Sequence, residues 1–111
     1  MLNAAQLEEV RRIAGAENVL DDPESFEKYG QDWTRFYQPH PSAIVFARDS
    51  EQLARIVKYA NQERLGLVPS GGRTGMSGGA LAAKGEIVIS FEKMNKILSF
   101  DEIDQTVTLE P

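Results

Sequence analysis

The sequence predicts an α+β fold in which N-terminal helices precede a small β-α-β sheet. Three observations support this prediction: helix-capping patterns in the first 38 residues, short apolar runs after residue 42, and a glycine-rich segment between two of those runs. Because caps mark helix ends and short apolar runs mark strands, we expect two units. These are a helical preface over residues 1–38 and a sheet-containing domain that begins at residue 39.

Two helices are expected in the preface. Asn3 can cap the first helix with Gln6 at the reciprocal position, and Gly15 provides a stop. Asp22-Pro23 is typical of the start of a second helix, with aspartate at the cap and proline in the first turn. The aromatic residues that follow are expected to pack the preface against the sheet; they are Tyr29, Trp33, Phe36 and Tyr37.

The β-α-β unit begins with the apolar run Ala43–Ala47, which is typical of a strand buried on both faces. Ser50 is expected to cap the next helix and Gly66 to end it. Leu67–Pro69 then forms a second strand, which a right-handed crossover makes parallel to the first. Ile87–Ile89 is expected to be a third strand.

A hairpin is expected at the end of the chain. Residues 99–101 and 106–110 supply its strands, and residues 102–104 supply its turn. The nearby carboxylates are interpreted as a solvated acidic edge, because none is paired in a setting suited to acid–base chemistry. These carboxylates are Glu92, Asp101, Glu102 and Asp104.

Composition excludes several classes of function. The chain is 41% hydrophobic and 26% charged, a balance that supports a core and disfavours disorder. Its net charge of −5 argues against nucleic-acid binding, which uses basic patches. No apolar run approaches the roughly 18 residues of a membrane span, and no signal-peptide layout is present. With no cysteine, neither a disulfide framework nor a cysteine zinc site is possible, and we expect a cytoplasmic protein, with peripheral membrane attachment left open.

The segment of residues 69–80 carries the strongest functional signal, since five of its twelve residues are glycine. Glycine permits close backbone approach, so that successive N–H groups can converge on an anion. A Walker loop is excluded because the chain has no Gly-Lys pair, and the glycine spacing does not fit a Rossmann loop. The candidate cofactor-binding residues are Pro69, Ser70, Gly71, Gly72, Arg73, Thr74, Gly75, Met76, Ser77, Gly78, Gly79 and Ala80.

Three motifs occur in order along the chain: the glycine segment at 68–80, a strand followed by Met-Asn-Lys-Ile at 86–97, and a strand ending in Leu-Glu-Pro at 106–111. Together they resemble the FAD-linked oxidases of the vanillyl-alcohol-oxidase or p-cresol-methylhydroxylase (PCMH) type. The resemblance is closest to the D-2-hydroxyacid dehydrogenases, which include glycolate oxidase and the D-lactate and D-2-hydroxyglutarate dehydrogenases. Asp32-Trp33 is similar to an Asp-Trp pair that precedes the FAD domain in the hydroxyglutarate-type branch.

This resemblance implies an FAD-dependent oxidoreductase that passes a hydride from a D-2-hydroxy acid to flavin N5. Residues 39–111 would be the first part of a PCMH-type FAD-binding domain, because members of the family are several times longer. The catalytic base, the substrate-binding residues and any metal ligands would then lie outside this chain, together with the contact to the electron acceptor. We therefore assign no catalytic or metal-binding residue within it, and expect the fragment alone to be inactive.

The resemblance also assigns roles within the loop. The amides of Ser70–Gly75 would face the FAD pyrophosphate, and Met76–Ala80 would pass the ribityl and isoalloxazine side. Thr74 and Ser77 would donate hydroxyl hydrogen bonds to the cofactor, or else bond to their own turns. Branches with covalent flavin carry histidine where Arg73 stands; a guanidinium cannot act as that nucleophile, so the FAD is expected to be non-covalent. The alternative for Arg73 is a salt bridge or solvent exposure.

Two other functions stay open on the residues alone. The glycine segment could belong to a stand-alone nucleotide- or phosphate-binding module, or the chain could be a structural fragment that binds nothing. His40 is the only histidine, and its place between two prolines is typical of a surface connector rather than of a catalytic residue.

Overall fold

A computed structural model describes residues 1–111 and confirms the predicted α+β architecture. Three helices, six strands and one 3₁₀ turn make up the fold. In chain order they are α1 (Ala4–Ala14), the 3₁₀ turn (Ala16–Asn18), β1 (Val19–Leu20), α2 (Pro23–Tyr29), β2 (Ala43–Phe46), α3 (Ser50–Glu63), β3 (Leu67–Ser70), β4 (Ile87–Ser90), β5 (Ile97–Asp101) and β6 (Thr106–Leu109).

Four strands form one sheet in the order β1-β2-β4-β3. Strands β2 and β3 both pair in parallel with β4, so the predicted parallel direction of β2 and β3 is confirmed, with β4 lying between them. Strand β1 pairs antiparallel with β2, Val19 opposite Val45. The sequence analysis missed β1, which places part of the preface at the edge of the sheet.

The sheet separates two clusters of buried side chains, because alternate residues of a strand point to opposite faces. Val45 and Ile89 face helices α1 and α3 in a cluster of ten buried residues. Ile44 and Val88 face the other side, where Tyr29 of α2 packs edge-to-face on Phe46 with ring centroids 5.1 Å apart. Burial on both faces explains the continuous apolar runs of β2 and β4.

The predicted caps of the first two helices are confirmed. The Asn3 side chain accepts the Gln6 N–H at 2.8 Å, and the Gln6 side chain accepts the Asn3 N–H at 3.0 Å, which completes a capping box. Gly15 ends α1 with a φ of +85°. Asp22 accepts the Ser25 N–H at 2.9 Å and so caps α2.

Both predicted ends of α3 are wrong by one or two residues. Asp49 rather than Ser50 is the N-cap, since its carboxylate accepts the Gln52 N–H at 2.7 Å. At the other end Arg64, two residues before Gly66, takes the left-handed conformation with a φ of +55°. The Arg64 N–H donates to carbonyls of the last helical turn. The helix therefore ends at Arg64, without a glycine at this position.

The prediction for the aromatic residues of the preface is wrong for three of four. Only Tyr29 packs against the sheet; the exposed fractions of Trp33, Phe36 and Tyr37 are 59%, 88% and 68%. Trp33 instead lies under the guanidinium of Arg35, which is 4.5 Å from the ring centroid.

The predicted hairpin is confirmed as a separate two-stranded sheet of β5 and β6. Its turn is held by Asp101, whose carboxylate accepts the N–H groups of Ile103 and Asp104 at 2.9 Å each. Both strands are exposed along their full length, including the apolar Phe100 and Leu109.

Candidate cofactor-binding site at the glycine loop

The glycine loop, residues 71–80, starts where β3 ends. Pro69 and Ser70 are the last residues of β3, beside Ile89 and Ser90 at the end of β4. The Phe91 N–H donates to the Ser70 carbonyl at 3.1 Å and holds the two strand ends together. Ligands of open α/β sheets bind at this carboxyl edge.

The five loop glycines are surrounded by open space. A Cβ atom built on any of them meets no atom within 4 Å, and of the five only Gly78 has a φ in the left-handed region, +76°. The other four are therefore required neither by packing nor by a left-handed backbone within this chain. Close approach of a ligand to the backbone would account for them, and a loop with this open space fits a phosphate-bearing cofactor such as FAD. They are Gly71, Gly72, Gly75 and Gly79.

Ser70 places an unpaired hydroxyl at the start of the loop. Its Oγ is buried and has no hydrogen-bond partner, although buried polar atoms are normally paired. The only other such side-chain atom in the chain is Asp32 Oδ2. A hydroxyl in this position can donate to an anion held by the loop.

Arg73 has the salt bridge that the sequence analysis gave as the alternative. Its Nη2 lies 2.8 Å from Glu92 Oε1, and its guanidinium lies 5.0 Å from the ring centroid of Tyr29. The backbone of Arg73 has a φ of +56°, unusual for a residue other than glycine. Glu92 was expected to be one of a row of solvated carboxylates, but it is instead paired with Arg73 of the loop.

The remaining loop side chains point outward without internal partners. Thr74, Met76 and Ser77 are exposed, while Ala80 is half-buried. Neither hydroxyl forms a hydrogen bond within the chain, so the alternative in which Thr74 and Ser77 bond to their own turns is not what the structure shows.

Two grooves flank the loop, with Gly72 and Arg73 in the wall of both. One, of about 380 Å³, lies toward Phe91, Lys96 and the end of β6. The other, of about 340 Å³, lies toward α2 and is lined by cationic and acidic side chains. These lining side chains are Lys28, Arg35, Arg73, Glu27 and Asp32.

Asp32 is the residue of this region to which sequence reasoning gave no site role. It is 4% exposed, and its Oδ1 accepts hydrogen bonds from the backbone N–H and the hydroxyl of Thr34. These two bonds, and then the N–H groups of Gly78 and Ala80, hold the pKa of Asp32 below its usual range. Burial of an aspartate in a loop is not predicted by any hydrophobic periodicity. The resemblance of Asp32-Trp33 to the Asp-Trp pair of the hydroxyglutarate-type branch was the one indication in the sequence that Asp32 could have a role.

No group of three or more His, Cys, Asp or Glu side chains is placed to hold a metal ion. None of the helices has both the length and the apolar character needed to cross a membrane. The side chain of His40 is exposed, and its backbone bonds to Ala82 and Gly85.

A glycine loop with open space around it, at the carboxyl ends of parallel strands, is an arrangement found in nucleotide-cofactor-binding domains. Residues 41–111 match the family described as FAD binding domain. The chain belongs to this family.

Relatives and solved structures agree with this assignment. The chain is 47% identical over 111 residues to D-2-hydroxyglutarate dehydrogenase of Stutzerimonas stutzeri (strain A1501), and covers 24% of that protein. It is 33% identical over 104 residues, 94% of the chain, to the glycolate oxidase subunit GlcD of Bacillus subtilis (strain 168), and covers 22% of that protein. The structure of p-cresol methylhydroxylase with substrate bound aligns with a TM-score of 0.74 and 28% identity, over 86% of the chain and 19% of that protein. The chain thus spans about a fifth to a quarter of the length of these proteins.

Proposed function

We propose that the chain supplies the pyrophosphate-binding part of an FAD site in an oxidoreductase that acts on a D-2-hydroxy acid. The open space around the five loop glycines is the observation that carries the proposal, because nothing inside the chain requires four of them. In this arrangement the amides of Ser70–Gly75 and the Ser70 hydroxyl bind the phosphate oxygens. Met76–Ala80 continue toward the flavin.

Arg73 supports non-covalent binding of the cofactor. A guanidinium keeps its proton and cannot form the bond to the flavin that a histidine forms. Its salt bridge with Glu92 also leaves the side chain partly neutralised, so the backbone amides supply most of the attraction for the pyrophosphate. FAD should therefore leave the protein when the fold is lost.

The proposed substrate class is supported by the names of the relatives, which are D-2-hydroxyglutarate dehydrogenase and glycolate oxidase subunit. When bound, FAD would accept the hydride equivalent from the α-carbon of glycolate, D-lactate or D-2-hydroxyglutarate at its N5 atom. The residues of this chain would hold and orient the cofactor. The base, the carboxylate-binding residues and the contact with the electron acceptor would lie in the longer protein.

The domain organisation and location follow the same proposal. Residues 39–111 would be the first part of a PCMH-type domain, and residues 1–38 a preface that contributes α1, α2 and the edge strand β1. A cytoplasmic location stays a prediction.

A stand-alone nucleotide- or phosphate-binding module is the second candidate function. The free Ser70 hydroxyl and the open glycines favour phosphate binding in general, and they do not by themselves distinguish FAD from another nucleotide. Binding of a non-flavin nucleotide at one equivalent, with no binding of FAD, would favour this candidate.

An absorption spectrum of the purified full-length protein tests the proposal, recorded before and after acid precipitation. We expect flavin bands that pass to the supernatant on precipitation. Colour that remains in the pellet would keep the FAD assignment but contradict the non-covalent role of Arg73. A protein without flavin that cannot be reconstituted with FAD would contradict the proposed function.

A further inference from the structure

The two buried side-chain oxygens without partners in this chain, Ser70 Oγ and Asp32 Oδ2, belong to the same region. Ser70 immediately precedes the glycine loop and has a place in the proposed phosphate site. Asp32 lies outside the loop and outside the residues 41–111 that match the family. The proposed function therefore leaves the buried carboxylate of Asp32 without a role.

The carboxylate of Asp32 is buried without an ion pair. The residue is 4% exposed, and no lysine or arginine nitrogen lies within 4.0 Å of its oxygens. Only Oδ1 is paired, by the N–H and the hydroxyl of Thr34. Because a buried charge is costly unless hydrogen bonds satisfy it, the second oxygen needs donors from another part of the chain.

The glycine loop presents such donors. The backbone N–H groups of Gly78 and Ala80 donate to no acceptor within the chain. Together with the bonds from Thr34, they lower the pKa of Asp32, Thr34 having the larger effect. Gly78 has a φ of +76°, the left-handed conformation that occurs in backbone turns that bind anions. The second half of the loop therefore contains unpaired donors, and the segment of Asp32 contains an unpaired acceptor.

Main-chain hydrogen bonds fix the segment around Asp32 to both ends of this half of the loop. The Trp33 N–H donates to the Gly75 carbonyl at 3.0 Å, and the Ala82 N–H donates to the Gly30 carbonyl at 2.8 Å. Asp32 lies between Gly30 and Trp33, the two attached residues of its segment. Gly78 and Ala80 lie between Gly75 and Ala82, and their N–H groups have no hydrogen-bond partner in the chain.

We propose that Asp32 is a positioning residue whose carboxylate holds the Gly78–Ala80 part of the loop. The amides of Ser70–Gly75 are thereby left for the cofactor phosphates. The effect on cofactor binding rests on the proposed FAD function, whereas the anchoring of the loop does not.

Hydrogen exchange in the full-length protein without FAD tests the anchoring. In the wild type, the amides of Gly78 and Ala80 should exchange more slowly than those of Gly72 and Thr74, after correction for intrinsic rates. Equal exchange in the two halves of the loop would overturn the proposal, and this comparison needs no variant.

The Asp32→Asn variant sharpens the test, because it keeps the shape but turns one oxygen into a donor. We expect exchange at Gly78 and Ala80 to become faster by about tenfold or more, the scale of a lost hydrogen bond to a charged group. Asp104→Asn is the matched control, since it changes the same charge at an exposed position. Unchanged exchange in Asp32→Asn would contradict the anchor.

FAD titration distinguishes two roles of Asp32: holding the Gly78–Ala80 part of the loop, and stabilising its own turn through Thr34. Asp32→Asn should weaken FAD binding about tenfold. Thr34→Ala removes the hydroxyl that donates to Asp32 Oδ1 but leaves Asp32 Oδ2 available to the loop. This variant should weaken FAD binding less. Equal losses in both variants would assign Asp32 to its local turn and overturn the proposal. A wild type that binds no FAD would contradict the proposed function, while the exchange data would still decide the anchor.

Discussion

The glycines outside the loop differ from those within it in what surrounds them. At the four outside, a Cβ atom would lie 2.6 to 2.9 Å from another atom of the chain. At the five inside, no atom lies within 4 Å. The outer group comprises Gly15, Gly30, Gly66 and Gly85, and the inner group Gly71, Gly72, Gly75, Gly78 and Gly79.

This difference distinguishes glycines that the fold requires from glycines that a bound ligand would require. Gly30 lies against backbone and proline atoms, and Gly15 and Gly85 have left-handed backbones with φ of +85° and +83°, so replacing any of these three should lower stability. At Gly66 the nearest atom is Glu86 Cγ, in a side chain that can move aside. The inner glycines have no such neighbours, and their loss should act on binding. Gly78 is intermediate, because it has open space but a left-handed backbone.

The largest effect on stability is expected for Gly30→Ala. The new methyl group would lie 2.6 Å from the Phe26 carbonyl oxygen and 3.0 Å from Pro39 Cβ. Overpacking of this kind should lower the free energy of unfolding by about 2 kcal/mol. Urea denaturation of the protein without FAD measures the change. A loss below about 0.5 kcal/mol would show that this site relaxes freely and would break the comparison.

The next effect is expected on binding, for Gly72→Ala. The methyl group meets no atom of the chain, so the free energy of unfolding should change by less than about 0.5 kcal/mol. It would project into the space proposed for the pyrophosphate and weaken FAD binding about tenfold, or about 1.4 kcal/mol. Flavin fluorescence titration measures this loss, with urea denaturation of the same variant as control. If Gly72→Ala lowered the free energy of unfolding but left FAD affinity unchanged, Gly72 would be required by the fold and not by the ligand.

The scaffold was predictable from sequence where local chemistry decides the structure. Asn3 with Gln6, and Asp22 with Pro23, each specify a helix start through their own hydrogen bonds and dihedral angles. The start of α3 was misplaced because Asp49 and Ser50 are both good caps, and only the structure shows which one bonds to the helix.

Long-range features were not predictable in the same way. Strand β1 has two residues and no periodic pattern, and it is a strand only because it pairs with β2. The position of β4 between β2 and β3 also depends on tertiary pairing. Asp32 is buried in a segment that main-chain hydrogen bonds from Trp33 to Gly75 and from Ala82 to Gly30 join to the loop, and these residues lie far apart along the chain.

The smallest effect is expected for Glu92→Gln, which tests whether the charge beside the loop matters as much as its open space. The ion pair of Glu92 with Arg73 is partly exposed, so its loss should change the free energy of unfolding by less than about 1 kcal/mol. Removing a carboxylate near the proposed phosphate site frees Arg73 and should tighten FAD binding about threefold, or about 0.6 kcal/mol. Titration at two salt concentrations measures it, with Glu102→Gln in the exposed hairpin turn as control. Weaker binding in Glu92→Gln would show that Glu92 orients Arg73 for the ligand, and that the loop depends on a side-chain contact as well as on its glycines.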